Sequence, residues 1–292
     1  TSLVNGVTGE IIGGQAPIIG VDTIGGYGID NAGNIGNITN SGLITAYATR
    51  VGGAIDPTDQ FGIAILNQGT LGSLTNNAGG TILGEFVAIT NTASGNITNI
   101  VNRNGGTISS SYYAIGNDGV IDRIENAGSI SGARDGISNT GTINGILNSG
   151  VITGNAEAGV LNFSSSGSAA TISAITNTGS ITSSSGKGIW NDVGGAIGVL
   201  NNLQGKGNVD GPLTFTGVLP SNYNIIINSP SVFGRLSAAS VTGPMAFNIY
   251  GNTGTTLVSG VNASVVSAGT YEDVLQGFSS LSGITGIAGT YS

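Results

Sequence analysis

The chain contains no cysteine and no histidine. The first absence excludes disulfides and thiolate metal sites. The second removes the commonest metal ligand and the commonest general base. Charged residues make up only 8% of the sequence, against roughly 25% in an average soluble domain, and aromatics only 5%. The seven basic residues, Arg50, Arg103, Arg123, Arg134, Lys187, Lys206 and Arg235, stand isolated within a net charge of −8. A nucleic-acid site needs clustered positive charge to displace counterions from phosphates, so no nucleic-acid partner is expected. No uninterrupted apolar run approaches the ~18 residues of a membrane helix, and no membrane span is expected in this chain. The start, Thr1 to Gly6, has neither a basic n-region nor an apolar h-region; a signal peptide is expected to have been removed or to lie outside the chain.

What the chain does contain is glycine, 53 of 292 residues, and hydrophobic residues at 39%, too many for disorder. They follow a repeat. The motif Ile-x-x-Ile-x-Asn-x-Gly-x-Ile appears at Ile35 to Ile44, Ile121 to Ile130, Ile143 to Ile152 and Ile172 to Ile181. Two further copies, Leu71 to Ile82 and Ile97 to Ile108, carry two extra residues near the Asn-Gly corner. A second motif, Gly-Ile-x-Asn-x-Gly, precedes it at Gly28 to Gly33 and Gly136 to Gly141. The corner asparagines fall at Asn40, Asn76, Asn102, Asn126, Asn148 and Asn177, and more loosely at Asn202, 22 to 36 residues apart.

A period in the low to middle twenties suits one turn of a β-solenoid with three short strands per rung. Ile, Val and Thr favour strands, whereas Asn and Gly tolerate the positive φ of sharp corners. Glycine at this density would destabilise a helical repeat by roughly 1 kcal/mol apiece. One rung buries four or five Ile or Leu at about 1.5 to 3 kcal/mol each, too little to order its backbone alone at about 1 to 2 kcal/mol per residue. Stacking is therefore required, with Ile over Ile and the corner asparagines forming amide ladders along the axis. The predicted fold is all-β, a right-handed parallel β-helix with rungs of about 22 to 26 residues and a β-rich C-terminal cap.

The expected organisation is an N-terminal segment or cap at 1–19, the repeat domain at 20–202, and a β-rich cap or irregular β-helix continuation at 203–292. In the last region the Asn-x-Gly rhythm is lost, and strands are predicted at 213–218, 223–228, 232–238, 245–250, 255–258 and 263–267. Two inserts, 46–61 and 163–170, interrupt the repeat at loops, where variable and binding surface is expected.

These Ile-x-Asn-x-Gly-x-Ile rungs resemble the passenger regions of bacterial type V (autotransporter) proteins. The stretch from Pro212 to Asn228 and on to Leu275 is similar to the segment that often precedes the membrane barrel in such proteins. A C-terminal barrel with its amphipathic strands is not present in this chain. The resemblance implies an extracellular or outer-surface location in a Gram-negative bacterium and a role in adhesion, aggregation or surface structure.

Individual residues point to no discrete chemistry, and no catalytic residue, cofactor site or metal ligand is nominated. Asp56 and Asp59, in the long insert, are the best carboxylate pair for glycan cleavage or surface binding, but Asp-Pro is equally a turn former. Asp118, Asp122, Arg123 and Glu125 read as solvated outer-face charges, and Arg134-Asp135-Gly136 reads as a corner. The acidic residues form no calcium-binding array, which leaves open only a single structural Ca²⁺ at one loop. Thr45, Ser109, Ser131, Thr153 and Thr182 are predicted to form an outward hydroxyl column, suited to ice or glycans or simply to solubility. Trp190, the single tryptophan, either stacks on a sugar ring or packs under a loop. The expected partners are a cell-surface glycan or protein, or further copies of the chain assembled end to end or laterally. The leading expectation is a non-catalytic structural or adhesive module. Its rivals are a self-assembling filament or surface-layer subunit, and a β-helix polysaccharide lyase or hydrolase.

Overall fold

The computed structural model describes residues 1–14, 25–51, 54–55, 61–165, 167, 169–209, 211–251, 266, 269–280 and 282–286. Among them every regular element is a strand, and the chain winds as a right-handed parallel β-helix with three walls. Each rung runs through a five-residue strand of sheet 1, such as Asp135–Asn139, a seven-residue strand of sheet 2, such as Thr142–Asn148, and a four-residue strand of sheet 3, such as Val151–Gly154. A third corner then leads back to sheet 1 of the next rung.

The register places like over like. In sheet 2, Leu3, Ile38, Leu74, Ile100, Ile124, Ile146, Ile175 and Leu200 stack in one inward column that continues through Tyr223 and Phe247. In sheet 3, Ile11, Ile44, Ile82, Ile108, Ile130, Ile152 and Ile181 do the same. Most of these side chains are fully buried, and each at about 1.5 to 3 kcal/mol contributes only because its neighbours above and below exclude water.

The corner asparagines are buried inside the turn. Asn40 Nδ2 donates to Asn76 Oδ1 at 2.8 Å, and also faces the carbonyls of Gly42 and Thr81, both at 3.1 Å. The same link runs from Asn76 to Asn102, Asn126, Asn148, Asn177 and Asn202. A parallel ladder at the first corner joins Asn31, Asn67, Asn91, Asn117, Asn139, Asn162 and Asn191.

Backbone conformation corrects one expectation. No described asparagine has a positive φ. Asparagine stands at the corner because its amide satisfies buried carbonyls. The glycine two residues on stands there for space: a Cβ on Gly150 would lie 2.2 Å from the Gly128 carbonyl oxygen of the rung below. Within the six copies of the first motif, positive φ occurs only at Gly79 and Gly105, in the two copies with extra residues; elsewhere it falls mainly on other turn glycines such as Gly186 and Gly194.

Beyond Asn202 two walls continue. Leu213–Val218 and Leu236–Thr242 extend sheet 1, while Asn222–Ser229 and Met245–Gly251 extend sheet 2. Sheet 3 ends at Ser180–Ser183. The strand expected over 232–238 is broken: Val232–Gly234 pairs antiparallel with Gly205–Lys206 and with Asn222–Ser229, and Leu236 begins sheet 1 anew. Gly234 permits this by lying against Asn202, where a Cβ would sit 2.0 Å from the carbonyl oxygen. At the other end, Ser2–Asn5 and Glu10–Gly13 already pair with the strands of the following rung. The strands expected at 255–258 and 263–267 fall wholly or largely outside the described residues.

Candidate functional site

Among the described residues, the densest set of ionisable and aromatic side chains lies on the third corner, where sheet 3 turns into sheet 1. Main-chain bonds from Arg134 N to Tyr112 O (3.0 Å) and from Glu157 N to Arg134 O (3.1 Å) stack these corners directly over one another. Their side chains form a column. Phe86 stacks on Tyr112 with centroids 4.9 Å apart and planes 10° apart, and Tyr112 meets Tyr113 at 4.1 Å. The Arg134 guanidinium sits 5.1 Å from the Tyr112 centroid and 5.5 Å from that of Tyr113 and donates to both hydroxyls. Its Nη2 also pairs with Glu157 Oε1 at 2.8 Å. That bond to Glu157 raises the basicity of the guanidinium, and burial raises the Tyr113 hydroxyl.

Beneath this column, in register with Tyr113, lies Asp135. It is fully buried. Its Oδ1 accepts from the Ala158 N–H at 2.8 Å, whereas Oδ2 has no hydrogen-bond partner and lies 3.9 Å from Arg134 Nε. Burial pushes the Asp135 carboxyl up to about 6, against the lowering effect of the Ala158 N–H. Reading Arg134-Asp135-Gly136 simply as a corner locates it correctly but misses this cluster. The signal lies in the alignment of rungs: Phe86, Tyr112, Arg134 and Glu157 each immediately precede or open a sheet 1 strand, and Asp135 takes a slot that Val87, Tyr113 and Ala158 fill elsewhere.

Trp190 lies on the sheet 1 wall between Leu161 and Thr216 and is half-buried. The Lys187 ammonium sits 3.6 Å from its ring centroid, so one ring face is already occupied. Asp56 and Asp59 lie outside the described residues. The ladder asparagines Asn40, Asn76, Asn102, Asn126, Asn148 and Asn177 face inward and are closed to ligands.

The hydroxyl column is in register through Ser109, Ser131, Thr153 and Thr182, but Leu83 interrupts it before Thr45, and Thr45 itself is buried. Arg123 and Glu125 form an exposed ion pair at 2.6 Å. Asp118 and Asp122 accept from Thr140 and Asn144 of the next rung. Two shallow depressions, of about 330 and 530 Å³, flank the protruding Asn104–Gly105 turn on the second corner. Among the described residues no three acidic side chains cluster in a way that could hold a metal ion, and no helix is long and apolar enough to cross a membrane. In comparison with known proteins, no family model, no curated protein and no solved structure matches the chain.

Proposed function

We propose that the chain is a non-catalytic structural and adhesive module, secreted or displayed on the outer surface of a Gram-negative bacterium in the manner of the type V passengers its rungs resemble. One observation carries this reading: the buried corner asparagines are consumed by two ladders that run along the axis, so the chemistry of the repeat goes into making a stiff rod. The third-corner cluster supports the same view. Its carboxylate with the most perturbed titration, Asp135, is sealed from solvent, and Arg134 is engaged by Glu157 and two tyrosine rings. A glycan-cleaving acid must reach the glycosidic oxygen.

Adhesion to a cell-surface glycan or protein would then be carried by the flat walls and the inserts. End-to-end assembly is the weaker reading, because the ladders are stopped by other groups at their C-terminal end: Asn202 Nδ2 donates to the Gln204 and Arg235 carbonyls, and Asn191 Nδ2 to that of Val218. Negative-stain electron microscopy across a concentration series tests the assignment, followed by binding to glycan arrays and whole cells. Isolated short rods that bind cells are expected. Concentration-dependent fibres would replace adhesion with assembly as the function, and depolymerisation of any glycan in the array would overturn the non-catalytic assignment.

A further inference from the structure

The third corner holds two carboxylates and one guanidinium between them. Arg134 reaches Glu157 at 2.8 Å through Nη2, while its Nε stands 3.9 Å from the buried, unpartnered Oδ2 of Asp135. The same guanidinium covers the rings of Tyr112 and Tyr113. Arg134 cannot satisfy both acids and both rings at close range. Its choice depends on whether the buried acid carries charge, because an ionised carboxylate with a free oxygen in a desolvated site costs far more than a protonated one.

We propose that Arg134 is a proton-operated switch: with Asp135 protonated it stays on Glu157 and the tyrosine rings, and with Asp135 ionised it swings inward, loosening Glu157 and uncovering the rings on the corner surface. The groups facing Asp135 are Tyr113 from the preceding rung, Arg134 on its own corner, Glu157 and the Ala158 N–H from the following rung, and Lys187 one rung further. Burial and the negative charge of Glu157 favour the protonated form, whereas Ala158, Arg134 and Lys187 favour the ionised one. The balance places the transition near pH 6. The consequence is a corner whose exposed aromatic surface differs between mildly acidic and neutral surroundings.

The test is a titration of the full chain from about pH 4 to about pH 8, read by tyrosine near-ultraviolet circular dichroism, with far-ultraviolet signal as the check on folding. A reversible one-proton transition near pH 6 is expected at constant secondary structure. Asp135→Asn should abolish it. Glu157→Gln should move its midpoint downward, because it removes a repelling charge and releases Arg134 to Asp135. Absence of a transition in the parent chain, or its persistence at the same midpoint in Asp135→Asn, would overturn the proposal. If Asp135→Asn does not fold, the Glu157→Gln midpoint decides: an unshifted value rejects the switch.

Discussion

The side-chain carbonyl of Gln204 accepts a hydrogen bond from the main-chain N–H of Ile181 at 2.8 Å and a second from Asn177 Nδ2 at 3.0 Å. Ile181 lies in the last strand of sheet 3. Gln204 therefore does for that edge what the next strand would have done, and it ends the wall without leaving a buried donor open. Gln204→Leu keeps the volume and removes the acceptor. The Ile181 N–H would be orphaned at roughly 1 to 3 kcal/mol, and Asn177 Nδ2 would keep only its bond to Asn202. Hydrogen exchange should show faster exchange at Ile181, while amides around Ile100 stay protected.

Mid-ladder asparagines should matter more than terminal ones. Asn126 accepts from Asn102 and donates to Asn148, so Asn126→Ala breaks two links, whereas Asn5, at the start of the ladder, donates only to Asn40 within it. Asn126→Ala is expected to cost about 2 to 5 kcal/mol and Asn5→Ala distinctly less, measured by urea unfolding. Equal losses would mean that the ladder links contribute little.

Corner glycines should divide by space. Gly150→Ala drives a Cβ to within 2.2 Å of the Gly128 carbonyl oxygen, whereas at Gly145 the nearest neighbour of such a Cβ is Asp122 O at 3.9 Å. The first substitution should destabilise by about 1 to 3 kcal/mol or more, and the second should stay within about 0.5 kcal/mol. Thermal unfolding of the pair checks this directly.

Asp135 makes a signed contribution to pH dependence. Its carboxyl titrates near 6 in the folded chain against an ordinary value of 3.8, so between those values the folded state holds a proton that the unfolded state has released. This contribution makes the chain most stable below about pH 4, weakens it as pH rises toward about 6, and is constant above that. The span is on the order of 2 to 3 kcal/mol. Denaturation midpoints of the parent chain and Asp135→Asn should therefore diverge between pH 4 and 6 in that direction. Parallel curves would show that Asp135 is ionised throughout.

Much of this was legible in the residues. The spacing of Ile35, Ile38, Asn40 and Ile44 and its recurrence at 143 to 152 encode two walls and the corner between them, because side chains that must stack every rung have to recur at rung length. The third corner was hidden, because its residues differ from rung to rung. Phe86, Tyr112, Arg134 and Glu157 share no residue type, and only the register shows that they form one column. Trp190 was ambiguous for a similar reason: its partner, Lys187, is three residues away and could equally have pointed into solvent.

The sequence by itself determined the architecture, since hydrophobic periodicity and corner asparagines are local patterns that admit one way of stacking the recurrent isoleucines into inward columns. Only the tertiary structure decided where charge is buried and how the stack ends. Asp135 becomes a desolvated acid, and Gln204 a substitute strand, through contacts with residues more than twenty positions away, set by how neighbouring rungs lie on one another.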